Sequence, residues 1–485
     1  TYERNDHAIG SDFGLGKTIT FDMNKFPYLT AELGGGLQVT YRRRPIAKAK
    51  DIGAMSIAKM GSGCTLLGYY MYHGGTNPEG KHTSLQETTK TGSFCDLLEK
   101  SYDFRAPLGE YGQANDSFKE IRRLALFVHD FGEELCEMDT YIPKDTPVTP
   151  TDFKNIRYSV RYNKENEKGY LFVNNYQRQN EMLDHYDADI NIKEPVEAKF
   201  HGDIKNGDYF ILPIRYGTIV EDEVLCTLNG YEVYFSRSKN KETTFGTTIH
   251  LSNEDSLNAT KIVSSSGKEF LIISEGTIFS EQKDGKTKVY LETRNVPTFK
   301  VIDTKEKIAT PAGFMNNKVS DHIHSYIYSA SEPDAPSVSK SLVSKTDEKL
   351  TYKINVKAWP KDHFNTLHDV FLKISYTGNC ARLYKDGKLV ADNLYTGLGS
   401  TWEIGLRRFG KEEQTFTLEI DALKKEMQSS VYLEQWPYIP DNASLKSDNI
   451  DENGIKIDSD ISSKASICSL NGLSTDRSVL IEFQI

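Results

Sequence analysis

Long apolar runs are missing from this sequence. The longest, such as Phe270-Leu271-Ile272-Ile273, are strand-sized, well short of the roughly 20 residues a helix needs to cross a bilayer. Cysteine is scarce and scattered, at positions 64, 95, 136, 226, 380 and 468, with no C-x-x-C pair. That spacing excludes a small scaffold built on disulfides. Basic excess is missing as well. The formal net charge is -10, which argues against a nucleic-acid-binding surface. Only Tyr41-Arg42-Arg43-Arg44-Pro45 concentrates positive charge, and such a run reads as solvated surface or an ion-paired loop. His73 has no partner at metal-ligand spacing, so neither a metal nor a cofactor is expected.

What is present is a composition of globular domains: 485 residues, 38% apolar and 26% charged, enough for several cores. The texture changes along the chain. Up to about residue 135, strand and helix signals alternate. Phe26 to Leu33 reads as a strand. Asp51 to Met60 reads as a short helix with Ile52, Met55 and Ala58 on one face and Gly61 as its stop. Cys64 to Tyr72 reads as a second strand, apolar on both faces as in a buried parallel sheet. Ser117 to Asp130 reads as an amphipathic helix, with a capping box from Ser117 to Glu120 and Gly132 after its end. Phe118, Ile121, Leu124, Ala125 and Val128 form its expected buried face.

From residue 136 onward, helix signals fade and short strands recur. Asn229-Gly230, Asp284-Gly285 and Asp386-Gly387 each sit between strand-like runs and predict tight hairpins. A Pro- and Thr-rich stretch from Ile142 separates the two textures, and a softer boundary lies near Pro333 to Lys345. The pattern predicts an α/β piece followed by β-sandwiches. Gly14-Leu15-Gly16-Lys17-Thr18 is not a phosphate-binding loop. Ser11 stands where the first glycine should be, and strand-like residues follow where a helix should begin.

The two expected strands of the first part end alike. "YLTAELGGG" runs from apolar residues into Glu32 and three glycines; the second breaks into His73-Gly74-Gly75-Thr76-Asn77 after Tyr69, Tyr70 and Tyr72. In a (β/α)8 barrel, chemistry sits on the loops after parallel strands, and glycines let backbone and ligand approach closely. A carboxylate facing aromatic rings suits a sugar, whose apolar faces stack on rings while the carboxylate acts at the anomeric carbon. The competing reading is a buried Glu32 paired with an arginine such as Arg42.

Longer motifs add to this. "YYMYHGGTN" (69–77) and "SYDFRAPLGEYG" (101–112), preceded by "AELGGG", resemble glycoside hydrolase family 35, the β-galactosidases. More weakly, "GDYFILPIRYG" (207–217), "DVFLKISYTGNCARLYKDGKLVADN" (369–393) and "YLEQWP" (432–437) resemble that family's accessory sandwiches and closing jelly roll. The resemblance implies a multidomain chain: residues 1–135 as the carboxyl-terminal part of a TIM barrel, about its last two strands; 136–335 as β-rich accessory structure; 336–485 as a jelly-roll, galactose-binding-like sandwich. It implies a retaining exo-β-galactosidase, with a β-galactoside or oligosaccharide as substrate and no nucleic-acid or membrane partner.

Such an enzyme uses two carboxylates about 5 Å apart. Glu32 matches the nucleophile, and Tyr70 matches a tyrosine beside it. Phe104 stands where many members carry a sugar-contacting tyrosine. Asp103 and Glu110 are expected to brace their loop. The acid/base, an Asn-Glu pair in the family, has no match before Glu32; the nearby Glu3, Asp6, Asp12 and Asp22 lie in polar sequence. The expectation is therefore a truncated chain that is inactive alone. The alternatives are a non-catalytic carbohydrate-binding sandwich protein, or an exo-glycosidase for another β-linked sugar such as glucosamine.

Overall fold

The computed structural model describes residues 25–485 apart from 83–84, 94–95, 145, 148, 150, 238–242, 303–307, 321, 331–332, 362–365, 440–459 and 463–464. The glycine loop at 14–18, the acidic residues up to Asp22 and Cys95 lie outside the described residues. Among the described residues, no helix is long and apolar enough to cross a membrane.

The first part is built from two parallel strands and two helices. Strand β1 (Tyr28–Leu33) pairs in parallel with β2 (Cys64–Tyr69), in a register that sets Leu33 opposite Tyr69. Helix α1 (Ala49–Gly61) connects them, and α2 (Asp116–Cys136) follows the long loop after β2. A strand, a helix and a parallel strand is the βαβ unit that the sequence signals. The pair stands as a two-stranded sheet, with Leu29 and Leu66 about half exposed.

Helix α2 differs from expectation at both ends. Its N-cap is Asn115, with no side-chain cap bond, so the Ser117–Glu120 capping box is not formed. It runs through Gly132 to Cys136. A glycine inside a helix costs about 1 kcal/mol relative to alanine. Burial of Phe127, Phe131 and Leu135 beyond and around it outweighs that cost. The buried face is rotated accordingly. Ile121 is buried, but Ala125 and Val128 are exposed. Phe127, Phe131 and Leu135 pack with Ile57 and Met60 of α1 onto Tyr170, Phe172 and Ile211 of the neighbouring sheet. Arg161 of that sheet donates to the carbonyls of Leu135, Met60 and Cys64, satisfying acceptors at the ends of both helices.

The rest is β structure. Five strands from Asp139–Tyr141 to Thr218–Ile219 make one sheet, flanked by the hairpin His185–Ile192 with Ala198–Ile204. A four-stranded and a five-stranded sheet follow between Glu223 and Tyr328. The last sandwich packs a five-stranded sheet, Val338–Lys345 to Gln414–Asp421, on a larger one around Leu367–Thr377. The 19-residue strand Ser466–Gln484 pairs along Leu367–Thr377 with its first two thirds and with Lys286–Thr293 with its end. It therefore ties the middle of the chain to the last sandwich. The three hairpins form at Asn229-Gly230, Asp284-Gly285 and Asp386-Gly387, all six residues having positive φ between 48° and 92°. That is the backbone of the tight turn whose twist matches its strands.

The run 41–45 divides its arginines. Arg42 and Arg43 are exposed, but Arg44 is fully buried. Its guanidinium donates to the carbonyls of Tyr41 (3.1 Å), Asn379 (3.0 Å) and Tyr395 (3.1 Å), and to Asn379 Oδ1. Arg43–Arg44 also pairs with Tyr432–Leu433. Glu434, next along, accepts from the Ile46 amide at 2.9 Å and from Arg178. The segment "YLEQWP" is thus the strip by which the last sandwich grips the loop after β1.

Candidate active site

Glu32 lies one residue before the end of β1, exposed to solvent. No hydrogen bond or ion pair joins it to any described residue, so the reading of a buried glutamate paired with Arg42 is not the arrangement found. Opposite it, β2 ends at Tyr69 and the chain turns through Tyr70, whose amide donates to the Leu33 carbonyl at 2.9 Å. The two tyrosines part company there. Tyr69 turns back to α1, its hydroxyl 2.8 Å from Ser56 Oγ. Tyr70 is 40% exposed at the strand ends, and its hydroxyl hydrogen-bonds that of Tyr102.

The ring of Phe104 completes the cluster, edge-on to Tyr70 at 5.9 Å between centroids and tilted against Tyr102 at 4.6 Å. The Tyr102 phenol is pushed up to about 12, by its hydrogen bond with Tyr70 first, then by burial and the nearby negative charge, to which Glu32 contributes. Tyr102 stays a neutral phenol at any physiological pH. It either donates to Tyr70 or accepts from it, and so fixes the Tyr70 hydroxyl. The structure thus brings Tyr70 and Phe104 together, with Tyr102, which the sequence reading passed over, as a third member of the cluster, next to the end of the strand that carries Glu32. Strand spacing does not signal it, since the strand ends at Tyr102 and the chain turns at Phe104 and Arg105, whose φ values are 57° and 51°.

The glycines after Glu32 have a specific task. A Cβ on Gly35 would lie 2.4 Å from the Met71 carbonyl oxygen, and one on Gly36 would lie 2.4 Å from that of Phe104. The loop after β1 is pressed directly onto the backbone after β2 and onto the 101–112 loop. Any larger residue would force these backbones apart.

Asp103 braces this loop: its two oxygens accept from the amides of Arg105 (2.9 Å) and Glu110 (2.7 Å). Glu110 sits behind it, 9% exposed, accepting from the Thr76 hydroxyl. Burial pushes its carboxyl up to about 7, against the hydrogen bonds of Thr76 and Ser101, the charge of Asp103 adding to the rise and that of Arg408 opposing it. Arg408, from the last sandwich, reaches Thr76 Oγ1 (3.3 Å) and the Tyr111 hydroxyl (3.3 Å). Asp392 of the same sandwich accepts from the amides of Glu99, Lys100 and Ser101 at 2.7 to 3.2 Å. His73 turns its Nδ1 to the Gly74 carbonyl. Among the described residues, no cluster of His, Cys, Asp and Glu could hold a metal ion.

Chemically, the arrangement offers one free carboxylate, an oriented phenol pair and a ring face at the carboxyl ends of parallel strands. Asp103 and Glu110 are engaged elsewhere, so neither stands free as its partner. Residues 4–128 match the family model described as Glycosyl hydrolases family 35.

Proposed function

We propose, from the premise that this chain belongs through residues 4–128 to glycosyl hydrolases family 35, that it is part of a retaining β-galactosidase whose nucleophile is Glu32. The observation that carries the reading is the position of Glu32, near the end of a strand whose parallel neighbour leads into the Tyr70–Tyr102 hydroxyl pair. In a retaining mechanism the carboxylate attacks the anomeric carbon and the leaving group departs with a proton from an acid. Tyr70, held by Tyr102, is placed to donate to the nucleophile or to the sugar. Phe104 offers a ring face without the hydroxyl that a tyrosine would bring.

The acid/base lies outside the described residues. Asp103 has both oxygens on backbone amides, and Glu110 is buried behind Thr76. The open edges of β1 and β2 are where further barrel strands would add. In this reading, residues 1–135 supply the last strands of the barrel, 136–335 the accessory β structure and 336–485 the jelly roll. Residues 1–485 by themselves then give no turnover.

The test is to assay an aryl β-galactoside with this chain alone and with a version extended by upstream barrel strands, each with and without Glu32→Gln. Turnover by the extended form alone, abolished by Glu32→Gln, is expected, with a mechanism-based fluorosugar labelling Glu32. Activity that survives Glu32→Gln overturns the nucleophile assignment. Glu32-dependent turnover by residues 1–485 overturns the placement of the acid/base.

A further inference from the structure

The loop from Leu97 to Gln113 carries Tyr102 and Phe104, yet its own secondary structure is slight. Its strand, Ser101–Tyr102, is two residues long and pairs with Gly75–Thr76 in a two-stranded sheet. Just beyond it, Phe104 and Arg105 take positive φ of 57° and 51°. Residues with a Cβ keep that left-handed backbone only where their surroundings hold it.

The hold comes from a side chain distant in sequence. Asp392 lies in the strand Lys388–Leu394 of the last sandwich and is 3% exposed. Its Oδ2 accepts from the amides of Glu99 (2.7 Å) and Lys100 (3.2 Å), its Oδ1 from those of Lys100 (3.1 Å) and Ser101 (2.8 Å). Three successive amides thus converge on one carboxylate, as backbone does around a bound anion. Arg382, opposite Asp392 across the hairpin, is turned to Asp421 at 2.6 Å. Among the described residues no cation pairs with Asp392, and burial pushes its carboxyl up against the pull of the three amides. A buried carboxylate without a cation is costly to fold. What this one does in return is fix a run of backbone that stops one residue before Tyr102.

We propose that Asp392 is a positioning residue for the reaction at Glu32: it holds the 99–101 backbone so that Tyr102 keeps the Tyr70 hydroxyl in place. The role in turnover rests on the reading given under Proposed function; the hold on the loop rests on the four hydrogen bonds. The path is short. Tyr102 follows Ser101 directly, its ring packs on Phe104 and its hydroxyl meets that of Tyr70. The same sandwich also touches the loop on either side, through Thr396 to Arg105 and through Arg408 to Thr76, the ladder partner of Ser101. The last sandwich is then part of the active-site framework, not a module that acts apart from it.

The experiment compares wild type with Asp392→Asn, which has nearly the same shape but turns an NH2 towards amide donors. In residues 1–485, hydrogen exchange at 99–101 should quicken about tenfold, the loss of charge-assisted hydrogen bonds. The strand Leu367–Thr377 of the same sandwich should keep its protection. In the form extended by upstream barrel strands, kcat on an aryl β-galactoside should fall about tenfold with KM little changed, as when an interaction made only in the transition state is lost. Tyr102→Phe should mask that fall: the double variant should be no slower than Tyr102→Phe alone, because both act through the Tyr70 hydroxyl. A merely structural aspartate would give additive losses. Additive losses, an unchanged kcat or unchanged exchange at 99–101 overturns the proposal. Thermal melts establish folding; if Asp392→Asn does not fold, Asp392→Ser, which keeps one acceptor, decides. Faster exchange at 99–101 in a protein whose extended form hydrolyses no galactoside upholds the hold on the loop and overturns the glycosidase reading. Turnover indifferent to Asp392→Asn does the reverse.

Discussion

Replacing Glu110 by glutamine should stabilise this protein, and only at neutral and higher pH. Glu110 is buried beside Asp103, and its carboxyl is pushed from an ordinary 4.5 to about 7, chiefly by burial. A group whose acidity is weakened by folding binds more protons in the folded state between those two values. Stability therefore falls as pH rises through the window from about 4.5 to 7. At 1.36 kcal/mol per tenfold change, the ionised carboxylate costs the folded state about 3 kcal/mol above pH 7. Glutamine keeps a carbonyl oxygen for the Thr76 hydroxyl and carries no charge to desolvate. Wild type and Glu110→Gln should melt together at pH 5, and the variant should be about 2–3 kcal/mol more stable at pH 8. Glu223, buried and also raised to about 7, imposes the same trend on wild type. The difference between the two proteins, not the slope of either, is therefore the quantity to read. Calorimetric scans from pH 5 to 8 supply it. Parallel melting curves would mean that Glu110 is ionised without penalty, by closer contact with Arg408 or with water, and would refute the argument.

Three further outcomes follow from the geometry. Tyr102→Phe keeps the ring packing on Phe104 but frees the Tyr70 hydroxyl; if the proposed function holds, it should lower kcat by about 10-fold or more with little change in Tm, and a Tm loss without a kinetic effect would make Tyr102 a packing residue. Arg44→Met removes a guanidinium with four acceptors and leaves the buried Tyr395 carbonyl and Asn379 Oδ1 without their donor, at a cost of about 3 kcal/mol, while exposed Arg43→Ala should stay within about 0.5 kcal/mol; hydrogen exchange across 37–48 and 379–395 separates the two. Gly36→Ala must displace the Phe104 carbonyl and should reduce turnover of the extended enzyme more than Gly34→Ala, whose added Cβ has 3.5 Å of room.

Where local chemistry decides conformation, the sequence was a good guide. The three Asn-Gly and Asp-Gly hairpins formed because positive φ is required at both turn residues and few other pairs accept it. The parallel pairing that sets Leu33 opposite Tyr69 was legible from two strand ends that break into glycine. The extension of α2 through Gly132 was not, because what sustains it is the sheet face bearing Tyr170 and Phe172, distant in sequence. Nor was the burial of Arg44. Three consecutive arginines look alike until the last sandwich arrives to cover one of them. The hold of Asp392 on the 99–101 amides was equally invisible, since the two segments stand 291 to 293 residues apart.

The strand Ser466–Gln484 has a consequence for how the molecule is made. Synthesis proceeds from the amino end, and domains commonly fold as they emerge. Here the hairpin Thr277–Lys283 with Lys286–Thr293 must wait, because its neighbour in the sheet is Val479–Gln484. Until that segment clears the ribosome, Lys286–Thr293 offers a bare row of amides and carbonyls, and so does Leu367–Thr377. Both are open to the wrong strand of another nascent chain. A ribosome stalled shortly before Ser466 would leave not a slightly shortened protein but one with two unfinished sheets, and quality control would meet it as an aggregation-prone species rather than a weakened enzyme.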